Sequence, residues 1–311
     1  MLFAPETTEL SFRHGDDVLV GDLVRPPWPG PYPAVVFVEG SGPGGRDQRE
    51  WQTRLAAAGF ASLAYDKPGS GASTGDWTRQ SLVDRADETL AAVAALRARR
   101  DIGSCPVALI GHSQGGWVAP LAASRSPAAV AAVVSVSGPG VGVVAQEEYR
   151  LGHQLTATGF TADDARQALA LFHEQIDRVR AGDDPAAVHA AQARWHEAPW
   201  YPLLAGTSPA SIAFLAGIAE HDPEPALAAL RCPLLAIFGA DDVQVPVGAS
   251  VRALDRILVD ARHTDHTIVV FPGADHGVRV RGARAPGFDE LVVTWLQHRL
   301  SHRRRNSAPD R

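Results

Sequence analysis

Cysteine is nearly absent: the 311 residues include two, Cys105 and Cys232. Each precedes a proline and opens an apolar run, CPVALI and CPLLAIF, which predicts two buried positions at strand starts. Two thiols placed in this way argue against a disulfide framework and against a cysteine-ligated metal site. They fit a reducing compartment, so the chain reads as cytoplasmic. Excess positive charge is missing as well. A formal net charge of −6 leaves no basic footprint for nucleic acid. The one basic run, Arg303-Arg304-Arg305, lies in a polar end segment that reads as a flexible tail over residues 301–311. No apolar run approaches the ~20 residues that a membrane span needs. The opening MLFAPETTELSF lacks the positive segment and apolar core of a signal peptide. Internal repeats and low-complexity stretches are also missing.

What is present is alternation. Residues 8–25 alternate and break at His14-Gly15-Asp16-Asp17, a hairpin signal. Continuous apolar runs follow at Ala34–Val38, Phe60–Tyr65, Val107–Ile110 and Val130–Val136, each reading as a strand covered on both faces. Helical stretches fall between them at Arg49–Ala58, Ser81–Arg99 and Trp117–Ser124, the second with Leu82, Ala86, Leu90, Val93 and Leu96 on one face. Strand–helix alternation predicts a mostly parallel sheet flanked by helices, with ligands bound beyond the carboxyl ends of the strands.

From 144 to 222 the strand pattern stops. Val144–Ala157 reads as a helix, and Thr161-Ala-Asp-Asp164 as a capping box opening a second one to Ala181. Asp184-Pro185 opens a third helix to about Glu197, and Ser208-Pro209 precedes a fourth at 211–219. Strands resume at Pro233–Phe238 and Thr267–Phe271, with helices at Ala249–Val259 and Phe288–Arg299. The expectation is an α/β core of residues 1–143 and 223–300 carrying an inserted helical cap at 144–222.

The chemistry centres on ALIGHSQGGWVAPLAAS, residues 108–124. A strand, a turn of small residues and a helix present Ser113 between Gly111 and Gly115 in the Gly-x-Ser-x-Gly pattern. Alone, the turn also fits a serine that merely caps the helix. A serine hydroxyl needs a general base. Of the 12 histidines, His112 adjoins Ser113 and should point away. His153, His173, His189, His196 and His221 lie in the helical block and read as solvated. His276 follows the last strand in FPGADHGV and should open at the same rim as Ser113. An imidazole base needs a carboxylate. The strand LLAIF ends in Gly239-Ala240-Asp241-Asp242, and position alone leaves both aspartates open. Two backbone N–H groups should form an oxyanion hole: that of Gln114, and that of Ser41 in the loop Glu-Gly-Ser-Gly-Pro-Gly. That loop lacks a Gly-Lys-Ser/Thr ending, which argues against a nucleotide phosphate site.

Taken together, EGSGPGGRD, YDKPGSGASTGDW, GHSQGG, GADDVQVP and GADHGV resemble the α/β-hydrolase superfamily, in particular its bacterial serine esterase and lysophospholipase-like hydrolases. The resemblance covers about residues 8–300. It implies the α/β-hydrolase fold, selects Asp242 over Asp241 as the acidic partner, and implies the helical cap. One departure is evident: the family carries His-Gly where this chain has Glu39-Gly40. A buried Glu39 would titrate above the usual carboxylate range. The resemblance implies a carboxylic-ester hydrolase working through an acyl-enzyme, with Ser113, His276 and Asp242 as triad and a small-molecule ester as substrate. Neither an organic cofactor nor a metal is implied. Trp195, Trp200, Tyr201, Leu203, Phe214 and Leu215 are candidates to line an acyl pocket, with Glu39 beside it. Asp66 and Lys67 lie near the rim and read as loop-stabilising. The chain is expected to be a monomer or homodimer. The same triad would serve an amide, peptide or thioester hydrolase or an acyltransferase. A peptidase that binds a free amine needs an acidic group, for which Glu147, Glu148 and Glu197 are the candidates. A non-catalytic binding protein on this scaffold would have a broken triad.

Overall fold

The structure, a computed structural model, describes residues 4–305. It opens with a hairpin of β1 (Glu6–His14) and β2 (Asp17–Arg25), paired antiparallel with Phe12 opposite Leu19. Then come β3 (Ala34–Val38), α1 (Arg49–Ala57), β4 (Ala61–Tyr65), α2 (Leu82–Arg97), β5 (Val107–His112), α3 (Gly115–Arg125) and β6 (Ala132–Val136). Five helices intervene: α4 (Val143–Ala157), α5 (Ala162–Arg180), α6 (Pro185–Ala191), α7 (Pro209–Ile218) and α8 (Glu224–Ala228). The chain ends with β7 (Leu234–Gly239), α9 (Val247–Asp260), β8 (His266–Phe271) and α10 (Phe288–Arg305).

The eight strands form one sheet in the order β1-β2-β4-β3-β5-β6-β7-β8. From β4 to β8 every pairing is parallel, and β2 joins β4 antiparallel. This is the α/β-hydrolase fold. Strand β3 shows why its sequence has no polar break. Ala34, Val36 and Val38 pack into the core shared with α2, α3 and α9, while Val35 and Phe37 pack into the core shared with α1 and α10. Period-two alternation over two buried faces demands an apolar residue at every position. Cys105 and Cys232 are buried just ahead of β5 and β7.

Three sequence expectations change. The helix expected to reach about Glu197 ends at Ala191 and passes into a 3₁₀ turn at Ala193–Trp195. Gln192 turns its side chain inward there, where its Oε1 accepts from Gln175 Nε2 and Tyr201 OH, both at 3.0 Å. Those tertiary bonds replace the next helical turn. Helix α7 starts at Pro209, earlier than expected, because Ser208 caps it by accepting from the Ser211 N–H. The flexible tail expected at 301–311 is helical backbone through Arg305, and 306–311 lie outside the described residues. The signal-peptide reading also draws on residues 1–3, which are outside them too. Among the described residues no helix is long and apolar enough to cross a membrane, and no group of three or more His, Cys, Asp or Glu could hold a metal ion.

Candidate active site

Ser113 sits between β5 and α3 with φ 54°, a left-handed conformation that costs a non-glycine residue of order 1–3 kcal/mol. The surroundings hold it there. The Ser113 N–H donates to Val136 O at 2.9 Å and the Gly116 N–H to Ser113 O at 2.8 Å. The flanking glycines are steric necessities. A Cβ on Gly111 would lie 2.0 Å from Gly115 O, and one on Gly115 would lie 1.9 Å from Val38 O. Both obstacles are backbone and cannot swing aside. Gly115→Ala is therefore expected to cost about 3 kcal/mol, the upper end for overpacking, read as a lower denaturation midpoint in urea. An unchanged midpoint would contradict this close approach.

Loop 272–278, beyond β8, brings His276 to the elbow. Its Nδ1 lies 2.7 Å from Asp242 Oδ2. The other oxygen, Asp242 Oδ1, accepts the N–H groups of Gln244 (2.7 Å) and Val245 (3.0 Å), and the side chain is fully buried. Asp241, by contrast, is exposed. The geometry thus resolves the choice that position left open. A carboxylate oxygen can only accept, so Nδ1 carries the hydrogen and Nε2 keeps its lone pair. His112 props the same loop. Its ring lies 5.0 Å from that of His276, and its Nε2 is 3.2 Å from His276 O. Burial, and after it the neighbouring His276, lower the His112 pKa, so the neutral ring donates to that carbonyl. No hydrogen bond joins Ser113 Oγ to His276 among the described residues, a looseness common before substrate binds.

A cavity of about 620 Å³ opens over Ser113, lined also by Ser41 and Gln114. The N–H groups of Gln114 and Ser41 donate to no partner among the described residues. Helices α4 and α7 form the outer wall, with Val143, Phe214, Leu215 and Ile218 as apolar surface. Leu203 lines it from the turn before α7. Trp195, Trp200 and Tyr201 do not line the cavity. Trp200 and Tyr201 are buried in the core, Trp195 packs against Trp200 at 5.4 Å, and Tyr201 OH is tied to Gln192. The sequence marks an aromatic as apolar bulk but does not say which void it fills. The aromatics at the cavity are Phe214, as expected, with Trp77 and Trp117, and Trp77 is edge-on to Phe214 at 5.1 Å. Trp77 closes the stretch YDKPGSGASTGDW, so that motif carried the signal. His221, read as solvated, is half-buried against Trp117, and burial lowers its pKa to about 4.

Glu39 also departs from expectation. Its side chain lines a second cavity of about 450 Å³, with His112 and Gly277, and not the Ser113 cavity. Gln48 Nε2 donates to its Oε1 at 2.8 Å. Burial raises its pKa, outweighing Gln48, Arg85 and Lys67, which lower it. The folded state thus binds this proton more tightly than the unfolded chain, and Glu39 weakens stability as pH rises past 4.5. Glu39→Gln keeps the Gln48 contact and removes the charge. Its melting temperature is expected to exceed that of the wild type at pH 7, with the gain vanishing below pH 4.5. A variant less stable than wild type at pH 7 would refute this. Asp66, read as loop-stabilising, is buried; Arg46 Nε donates to it at 3.1 Å and the Ala72 N–H at 3.0 Å, joining two rim loops.

The chain is similar to known hydrolases. The family model described as "Serine aminopeptidase, S33" matches residues 30–279. The monoacylglycerol lipase of Mycolicibacterium smegmatis is 28% identical over 253 residues, covering 79% of this chain and 81% of the lipase. Esterase EstD of Thermotoga maritima is 26% identical over 239 residues, covering 73% of this chain and 50% of EstD. Among solved structures, the dienelactone hydrolase of Anabaena variabilis superimposes with a TM-score of 0.57 at 20% identity, covering 96% of this chain and all of the other, a likeness of fold.

Proposed function

Since this chain belongs to the serine aminopeptidase S33 family of α/β-hydrolases, we propose that it is a serine carboxylesterase acting on small-molecule esters through an acyl-enzyme. The observation that carries this reading is the His276–Asp242 couple, held at 2.7 Å beside an elbow serine at φ 54°. His276 Nε2 takes the Ser113 proton as Oγ bonds to the acyl carbon, and the carbonyl electron pair moves onto oxygen. The N–H groups of Gln114 and Ser41 receive that oxyanion. Collapse expels the alkoxide, which takes the proton from His276 and leaves as alcohol. Water then repeats the sequence: His276 removes its proton, the hydroxide oxygen bonds to the acyl carbon, and Ser113 Oγ departs with the proton as the acid is released. Asp242 stays ionised and holds the ring.

The cap reading for residues 144–222 is part of the proposal. Its support is that α4 and α7 wall the cavity over Ser113. The relatives named as a lipase and an esterase favour esters. So does the state of Glu147, the cavity's one acidic candidate for a substrate amine. It is engaged by Arg150, whose Nε donates to it at 2.8 Å. The test is hydrolysis of p-nitrophenyl esters from acetate to palmitate. Turnover is expected, with the best chain length measuring the cavity. Inertness across the whole series, with turnover of amides or thioesters in its place, would defeat the ester reading.

A further inference from the structure

Two buried cations lie beneath the loop that carries Ser41, and the mechanism above does not use them. Lys67 and Arg85 are only 1% and 2% exposed. Lys67 Nζ donates to Gly40 O at 2.8 Å, and Arg85 Nη1 to the same oxygen at 3.3 Å. Arg85 Nη2 donates to Glu39 O at 2.9 Å, and its Nη1 also reaches Gln114 Oε1 at 2.9 Å. The carbonyl shared by the two cations belongs to the Gly40–Ser41 peptide. Among the described residues the one cis bond is Gly30–Pro31, so this peptide is trans. In a planar trans peptide the N–H points opposite to the C=O. Drawing the carbonyl down onto Lys67 and Arg85 therefore turns the Ser41 N–H the other way, and Ser41 lines the cavity over Ser113.

We propose that Lys67 and Arg85 are positioning residues of the oxyanion hole. They clamp the Gly40–Ser41 peptide so that its N–H faces the reacting carbonyl, and Arg85 ties that peptide to Gln114, the source of the second N–H. The inference rests on the ester-hydrolase reading above. The clamp is electrostatic as well as steric. A cation on the carbonyl polarises the peptide and strengthens the N–H at its other end, most of all where water is excluded. Burying two cations side by side is costly without compensation. The compensation is local: Lys67 Nζ lies 4.9 Å from the centre of the Trp77 ring, and the charges of Glu88 on α2 and Glu39 on the loop favour the Lys67 ammonium. Burial, and then Arg85, lower the Lys67 pKa to about 7, so near neutral pH Lys67 is charged only part of the time, while its amine donates to Gly40 O in either state. Packing alone would be served as well by methionine.

The experiment compares full-length wild type, Lys67→Met and Arg85→Lys. It measures kcat and KM on p-nitrophenyl butyrate, affinity for an aryl trifluoromethyl ketone that adds Ser113 as a tetrahedral oxyanion, and thermal melting. Losing one oxyanion donor costs about 10²–10³ in kcat, so misplacing one should cost Lys67→Met about 10- to 100-fold, and Arg85→Lys less. KM should stay within about threefold, and ketone affinity should fall by the same factor as kcat. Arg85→Lys keeps a buried cation and decides the matter if Lys67→Met does not fold. Variants that melt cooperatively and keep wild-type kcat and ketone affinity overturn the proposal. A loss of kcat with unchanged ketone affinity overturns it too, since the oxyanion would then be held as before. Wild type that hydrolyses no ester instead fails the underlying reading, which the parent enzyme reveals before any variant is made.

Discussion

Ser113→Ala is expected to lower kcat on p-nitrophenyl esters by about 10⁴- to 10⁶-fold while leaving the fold intact. In the proposed mechanism the hydroxyl supplies the bond to the acyl carbon, and no neighbour replaces it. What survives is water attack assisted by His276 and the oxyanion N–H groups. Stability should change by no more than about 0.5 kcal/mol. Ser113 Oγ makes no hydrogen bond among the described residues, so its removal strands no partner, and alanine inherits the same backbone at φ 54°. Two readouts check the result. Wild type should gain the mass of one acyl group when quenched during turnover, and the variant should not. A variant that melts like wild type and still turns over esters at its rate would show that the nucleophile lies elsewhere.

Asp242→Asn is expected to cost about 10⁴-fold in kcat, whereas Asp241→Asn should change it by less than about threefold. The contrast follows from hydrogen-bond polarity. In the wild type Oδ1 accepts from the Gln244 and Val245 N–H groups while Oδ2 faces His276 Nδ1. An asparagine must keep its carbonyl oxygen toward those two backbone donors, so its NH₂ is turned to the ring. Nδ1 must then accept, the hydrogen moves to Nε2, and Nε2 cannot take the serine proton. Asp241 is exposed and has no place in that chain of bonds. Steady-state kinetics of the two variants side by side provide the check. Equal losses, or a larger loss for Asp241→Asn, would reverse the assignment.

The clamp under the oxyanion loop shows how far a linear reading goes. Lys67 stands out in YDKPGSG as a polar residue just after a strand, and the sequence places it at the rim as a stabiliser of loops. Arg85 lies on the apolar side of a helix whose other members are Leu82, Ala86 and Val93. A charge on that stripe is buried only where polar partners meet it. Neither position says that the two side chains converge on one carbonyl. Their donors come from two different segments, and the acceptor lies 27 and 45 residues away from them.

Other features divide in the same manner. The elbow was legible because its demands are local: a buried strand, two residues without side chains, and a helix start within nine positions. His276 was legible because a Gly-rich loop after a strand must open at the rim where the other parallel strands end. The choice of Asp242 over Asp241 came only from resemblance, since two adjacent residues after a strand share every local property. Burial and bonding separated them. The aromatic lining is only partly legible in the sequence, for a related reason. Trp200 and Tyr201 are as apolar as Trp77 and Phe214, and only the packing of helices on the core decides which rings face a void.

By itself, then, the sequence determined the alternation of strands and helices, the parallel sheet, the strained serine and the histidine loop. Each of these is encoded by periodicity, turn chemistry and steric exclusion over a few neighbouring residues. The tertiary structure decided which aspartate meets His276, which aromatics border the cavity, that Glu39 faces a second cavity, and that Lys67 and Arg85 grip the Gly40–Ser41 peptide. Those outcomes depend on sheet register and helix packing, which bring together side chains tens of residues apart, and no local pattern in the chain records that distance.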